Sequence, residues 1–408
     1  MSVRAETSRT VTQEARRALW GSAVGYAMDG FDLLILGFML KPIAAALALG
    51  PAQAASIVTA TLAGAVLGGI GFGLLADKFG RVRVLTWTIA LFAVFTGLCG
   101  LARSYGELLA FRGIAGLGLG GEFGIGMALV AEAWPASMRA RASSYVGLGW
   151  QAGVLCAALL APVLIPALGW RGTFAVGAFP AVIAFLVRRA LREPALFAAR
   201  AARPRRGIAA PLCLLVADGP SARASLGMLV LCSVQNFGYY GVMIWLPSYL
   251  AARFHYGLTQ SALWTAATIA GMAIGIFVFG HAADRIGRRP SFAAWMIGAA
   301  VMVVVYAQLV SPLALLVGGA VMGFFVNGML GGYGALMSEL YPTEARATAQ
   351  NVLFNLGRAA GGFGPVAVGA VAAGHGFATA IAMLAVLYVI DLLALLLLIP
   401  ERRGLALV

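Results

Sequence analysis

Apolar residues in this chain run in long blocks, separated by short segments that hold most of its charge. A helix needs about 20 apolar residues to cross a hydrocarbon layer of about 30 Å. Twelve blocks reach that length, centred near residues 29, 65, 93, 117, 155, 179, 237, 270, 300, 325, 360 and 387. The sixth, about 171–187, is the shortest. The pattern predicts an all-α membrane protein of twelve transmembrane helices. Its longest polar stretch, 188–224, carries eight arginines with Pro194, Pro204, Pro211 and Pro220. It predicts a cytoplasmic linker between an N-terminal six-helix bundle, 1–187, and a C-terminal one, 225–408. The leading segment MSVRAETSRTVTQEARR is too polar for a signal peptide, so the N-terminus is expected to be kept.

Composition agrees: of 408 residues, 61% are hydrophobic and 11% charged, too little charge to cover a soluble protein of this length. The basic residues set the orientation. Lys41, Arg103, Arg171 and Arg253 fall in one set of loops, and Arg112 and Arg358 fall inside spans. The rest of the 29, among them Arg16, Arg17, Lys78, Arg83, Arg285 and Arg403, fall on the other side. That side is predicted to be cytoplasmic, with both termini there, in an inner or plasma membrane. The net charge of +14 then reflects topology and some affinity for anionic lipid heads rather than nucleic-acid binding. Cys99, Cys156, Cys213 and Cys232 have no CxxC spacing and read as reduced, small apolar residues. His255, His281 and His375 fit no metal-ligand spacing, and no HExxH or GxSxG occurs, which argues against an enzyme or a metal site.

The two halves repeat one another. LLADKFGRVR pairs with HAADRIGRRP, setting Asp77 against Asp284 at an offset of 207. AEAWPASMRA pairs with SELYPTEARA at the same offset, setting Glu132 against Glu339 and Arg139 against Arg346. An internal duplication of this kind is expected of carriers that rock two halves about a midplane site.

These motifs resemble the major facilitator superfamily. Its GxxxD[RK]xGR signature is present as Gly73, Asp77, Lys78, Gly80 and Arg81, and again as Gly280, Asp284, Arg285, Gly287 and Arg288. Within the superfamily the chain is similar to proton symporters of organic acids, both the aromatic-acid and the sialate/monocarboxylate types. The resemblance rests on Asp29-Gly30-Phe31-Asp32, on the run from Arg112 through Gly116, Gly118, Gly120 and Gly121 to Glu122, and on Asn355, Gly357 and Arg358. It implies uptake of a small carboxylate by alternating access, driven by the proton gradient with no other cofactor. The partners implied are the acid, protons and lipids, and the carrier is expected to be a monomer. A proton-linked exporter of drugs or metabolites on the same fold is the alternative. The absence of a Gly-Pro pair after Gly153 in span five counts against it.

Charges inside spans need a reason, because one ionised side chain at mid-helix costs roughly 2.5–3.5 kcal/mol. At 1.5 Å per residue Arg112 lies roughly 12 Å deep and Arg358 roughly 15 Å, and both aspartates of span one are also near mid-depth. A guanidinium at that depth needs an anion. The resemblance implies that Arg112 pairs with Asp32, either as a fixed ion pair or as the proton-coupling site. Arg358 has no acid near in sequence and is expected to bind the substrate carboxylate. Asp29 shares the helical face of Asp32. It reads as its partner, as a substrate-facing group or as a polar contact. Glu122 either relays protons or bonds within the helix-swapping machinery.

Asn355, Gln151, Asn236, Tyr239 and Asn327, with Gln235 and aromatics such as Phe31, Trp150, Tyr240 and Phe354, are candidates to line a cavity. The resemblance implies that Gly73, Asp77, Gly80, Arg81, Glu132 and Arg139 latch the halves, together with Asp284, Gly287, Arg288, Glu339 and Arg346. Asp391 has no counterpart in the first half and reads as a neutral carboxyl bonded locally. The glycines of GIAGLGLGGEFG serve close helix packing and not a phosphate loop, since no strand precedes them and no P-loop lysine follows.

Overall fold

The computed structural model describes residues 11–189, 191–201, 207–254, 258–403 and 407. Parts of the predicted linker (190 and 202–206) and His255 lie outside the described residues. Every regular element among the described residues is helical. In chain order they are α1 (Gln13–Leu47), α2 (Pro51–Phe79), α3 (Arg81–Cys99), α4 (Tyr105–Ala133) and, after a single 3-10 turn, α5 (Arg139–Arg189). Two short helices follow, α6 (Ala195–Ala201) and α7 (Ala210–Leu214), within the stretch expected to link the halves. The second half comprises α8 (Gly219–Phe254), α9 (Leu258–Ile286), α10 (Arg288–Gln308), α11 (Pro312–Gly328) and α12 (Leu330–Leu340). It ends with α13 (Arg346–Gly361), α14 (Gly364–His375), α15 (Phe377–Ala382) and α16 (Leu384–Leu398).

Among the described residues, 11 stretches are long and apolar enough to cross a membrane. The fifth and sixth predicted spans run on as α5, interrupted only at Gly169, whose φ of 63° and ψ of 177° are not helical. The tenth span is divided into α11 and α12 at Met329, and the eleventh into α13 and α14 beside Gly362. Leu155, Leu159 and Val163, spaced by four along α5, are all exposed. Such an apolar stripe suits lipid, and the molecule is an integral membrane protein.

Glycine lets the helices approach closely. A Cβ built on Gly64 or Gly68 of α2 would collide with the carbonyl oxygens of Gly113 or Leu117 on α4. Built on Gly271 or Gly275 of α9, it would strike those of Ala320 or Phe324 on α11. These pairs stand 207 residues apart, so the duplication seen in the polar motifs extends to the packing seams. α4 is the most enclosed span, with 89% of its apolar window buried, because its glycines admit neighbours on all sides. Across the halves α13 packs on α2 and α4, while α5 packs on α9 and α12.

Candidate transport site and its latch

Where α13 meets α2 and α5 meets α9, buried charges join the two halves at one end of the molecule. Asp77, at the last turn of α2, accepts hydrogen bonds from the backbone N–H groups of Ala347 (3.2 Å) and Thr348 (2.8 Å) in the first turn of α13. Its repeat partner Asp284 accepts from Ala140 and Arg141 in the first turn of α5, both at 3.1 Å. These N–H groups have no partner within their own helix, and the helix dipole favours an anion there.

Arginines complete the latch. Arg81 lies 3.0 Å from Asp77 and 3.1 Å from Glu132, and donates to the Thr343 carbonyl at 2.6 Å. Glu132 is also paired across the halves with Arg346 at 2.7 Å. In the second copy Arg288 lies 3.0 Å from Asp284 and 2.8 Å from Glu339, and Arg139 lies 3.6 Å from Glu339. Asp77, Arg81, Glu132 and Arg346 thus form one network and Asp284, Arg288, Glu339 and Arg139 its repeat-related copy, while Gly73 packs against Ala347 and Thr348.

Two further glutamates flank this network, each within its own half. Gly80 and Gly287 take φ of 115° and 113°, a conformation that favours glycine, and turn the chain from α2 into α3 and from α9 into α10. Against those turns Glu193 accepts from Arg81 N (2.8 Å) and Arg83 N (3.0 Å). Glu401 accepts from Arg288 N (3.3 Å) and Arg289 N (2.8 Å). Both glutamates adjoin a proline, but they stand one residue out of the repeat register, which hid the relation.

Above the latch lies a second layer of contacts. Asn351 accepts from the Gly124 N–H at 3.1 Å, and Asn355 donates to the Gly120 carbonyl at 3.0 Å. One turn of α13 thereby clips onto the glycine run of α4. Asn355 therefore does not line the cavity, as had been expected. Its amide is turned toward α4 because the glycines leave backbone groups within reach. Phe123 and Phe354 stack beside this clip with ring centroids 3.7 Å apart.

The cavity follows, and it is small, about 20 Å³. That is room for a water or so and not for an organic acid, so the site is collapsed. Tyr26 of α1 and Trp150 of α5 face Asn236, Tyr239 and Tyr240 of α8 across it. Asn327 of α11 and Arg358 of α13 close the wall. Trp150 donates to the Tyr239 hydroxyl at 3.2 Å, and Gln235 donates to Asn327 at 2.6 Å. Gln151 is buried next to Trp150 in the chain but is not among the lining residues, and neither of its amide atoms has a hydrogen-bond partner.

The in-span charges divide into two kinds. Arg112 grips Asp32 through both Nη atoms, at 2.9 and 2.6 Å, and donates to Thr61 at 3.1 Å. Asp29, buried on α1 between Asp32 and Tyr26, is within electrostatic reach of the Tyr26 hydroxyl. Glu122 accepts from Thr88 at 2.6 Å, which ties α4 to α3.

Arg358 differs from every other buried arginine. It is 3% exposed and lies over the rings of Phe354 (5.3 Å) and Trp150 (5.7 Å), with no hydrogen bond or ion pair among the described residues. Asp391 on α16 is fully buried, yet neither oxygen has the local hydrogen bond expected of it. The Cys232, Tyr333 and Tyr388 side chains are nearby, and the Tyr333 hydroxyl is spent on the Leu231 carbonyl.

Comparison with known proteins identifies the architecture. The family model described as Major Facilitator Superfamily matches residues 22–270 and 231–406. The chain belongs to this superfamily. Membership makes it a membrane transporter and not an enzyme. A Haemophilus influenzae protein, named provisionally for metabolite transport, is 62% identical, covering 96% of this chain and 97% of its own. The cis,cis-muconate transport protein of Acinetobacter baylyi is 31% identical, covering 85% of each chain. The sialic acid transporter NanX of Escherichia coli is 28% identical, covering 88% of this chain and 87% of its own. In fold, the chain superposes on the proton:xylose symporter XylE with a TM-score of 0.80 at 17% identity, covering 98% of both chains.

Proposed function

We propose that this superfamily member takes up a small organic acid together with protons across the inner membrane, by alternating access between its two halves. The observation that carries the reading is the guanidinium of Arg358 in the cavity wall, buried with no ion pair among the described residues and with its Nε lacking a hydrogen-bond partner. A buried charge without a counter-ion costs several kcal/mol. A carboxylate entering the cavity would remove that cost and bind the planar fork through two hydrogen bonds. The relatives named for cis,cis-muconate and sialic acid support an acid as the cargo.

Twelve spans, counting α5 as two, with both termini and the latch in the cytoplasm, complete the topology. The bundles are 1–187 and 225–408. With the latch closed, the carrier is occluded or faces outward. Asp32 is the coupling acid. Arg112 holds it through both Nη atoms, and opening of that pair is the proposed coupling step. Asp29, one turn nearer the cavity, passes the change to the substrate site through Tyr26.

Reconstitution in liposomes tests the reading, with a panel of carboxylates offered with and without an inward proton gradient. The gradient is expected to drive accumulation. Asp32→Asn is expected to abolish accumulation and spare exchange. Arg358→Lys, which keeps the charge and loses the fork, is expected to weaken apparent affinity by about tenfold or more. Uptake indifferent to the gradient, or unchanged affinity in Arg358→Lys, overturns the scheme. Cation pumping would point to the exporter instead.

A further inference from the structure

The cavity holds more than a carboxylate site. Gln235 and Asn327, each 2% exposed, spend one amide bond on each other: Gln235 Nε2 donates to Asn327 Oδ1 at 2.6 Å. The remaining pair, Gln235 Oε1 and Asn327 Nδ2, is buried with no hydrogen-bond partner. One is an acceptor and the other a donor. Turning both amides over reverses the bond between them and again leaves one donor and one acceptor. Both residues line the cavity, on the α8 and α11 walls, and Arg358 is the one charged residue among those lining it. Buried polar atoms left unmatched are costly, and a site holding them discriminates strongly for ligands that satisfy them.

We infer that the cargo is a flat, ring-bearing monocarboxylate with a second, neutral group that both donates and accepts hydrogen bonds, such as a carboxamide or hydroxyl. This rests on the carboxylate reading above. Arg358 takes the carboxylate, the ring lies against Trp150 and Phe354, and the Gln235–Asn327 pair reads the neutral group. A second carboxylate is disfavoured on electrostatic grounds: Arg358 is the one cation lining the cavity, so a second anion there would stand unbalanced in a closed site.

Four probes test this on the purified full-length carrier, by the concentration that gives half-maximal thermal stabilisation: benzoate, 4-carbamoylbenzoate, terephthalate and benzamide. 4-Carbamoylbenzoate is expected to bind about tenfold tighter than benzoate, the worth of one to two satisfied hydrogen bonds. Terephthalate is expected to bind no tighter than benzoate. In Gln235→Leu and Asn327→Leu the ratio of 4-carbamoylbenzoate to benzoate affinity is expected to fall to about one, whatever the affinity for benzoate itself, a readout that misfolding would not produce. Terephthalate binding tightest, the advantage surviving both substitutions, or none of the four binding overturns the inference. Benzamide binding as well as benzoate, or benzoate binding unchanged in Arg358→Ala, overturns the carboxylate reading instead, so the two failures are distinct.

Discussion

Replacing Asp77 with Asn removes one charge and little else, and the latch geometry says what that should do. The carboxylate accepts two backbone hydrogen bonds from the first turn of α13. An amide accepts one of them and turns an N–H toward the other. The loss is one hydrogen bond to a charged group, about 1.5–3 kcal/mol. The favourable interaction with the helix dipole, about 0.3–1 kcal/mol, goes with it. Arg81 keeps Glu132 and the Thr343 carbonyl, so it is not stranded. In the unlatched state the same groups face water, so the cost falls on the latched state alone. A shift of about 2–4 kcal/mol corresponds to roughly 30- to 700-fold in the latched-to-open ratio. Spin labels on the exposed positions Arg83 and Arg285 would report it as a longer inter-label distance between the halves. Asp284→Asn should produce a shift at least as large, because besides two backbone bonds to α5 it also accepts from Arg141 Nε at 3.0 Å. An unchanged distance distribution in Asp77→Asn, or opening by one aspartate and not by its twin, refutes the latch assignment.

Other outcomes follow from the packing. Gly68→Val and Gly275→Val each force a side chain into a carbonyl of the facing helix and should lose monodisperse protein in size-exclusion chromatography. Gly71→Val, with nothing within 4 Å of its Cβ position, should not. Glu193→Gln gives up one of two backbone hydrogen bonds at the start of α3, within the first half, and should lower thermal stability by about 1.5–3 kcal/mol without changing the distance between the spin labels. Asp391→Leu removes a buried carboxyl that has no hydrogen bond and should raise the thermal midpoint, by about 1–3 kcal/mol of stability. Loss of transport in that variant despite higher stability would give this acid a part in the cycle.

Charge in an apolar helix is costly and therefore conspicuous, so the residues of the latch and of the span-one ion pair stood out, but their roles and the Asp32–Arg112 pairing came from the family resemblance. The repeat register then told which charges answer to one another. Glu193 and Glu401 escaped notice for the opposite reason: each lies in a polar segment, where one more charge is unremarkable. Asn355 was placed on the right helix and the wrong face. Its proximity to Arg358 in sequence suggested a shared cavity, whereas three residues along α13 turn the amide onto α4. Asn351, its partner in that clip, carried no signal until the α4 glycines were seen to bring backbone groups within reach. The break at Gly169 was also hidden, since an apolar run shows where a helix fits and not where the chain turns.

The bare guanidinium of Arg358 has an electrical consequence as well. A fixed positive charge in a narrow constriction repels hydronium and sodium ions, as an arginine in a pore wall excludes protons and cations. While the cavity is empty, that charge opposes an unproductive current down the gradient. On the proposed scheme, a bound anion would neutralise it at the moment when passage of a proton becomes useful. The residue proposed to receive the cargo would thus also insulate the idle carrier.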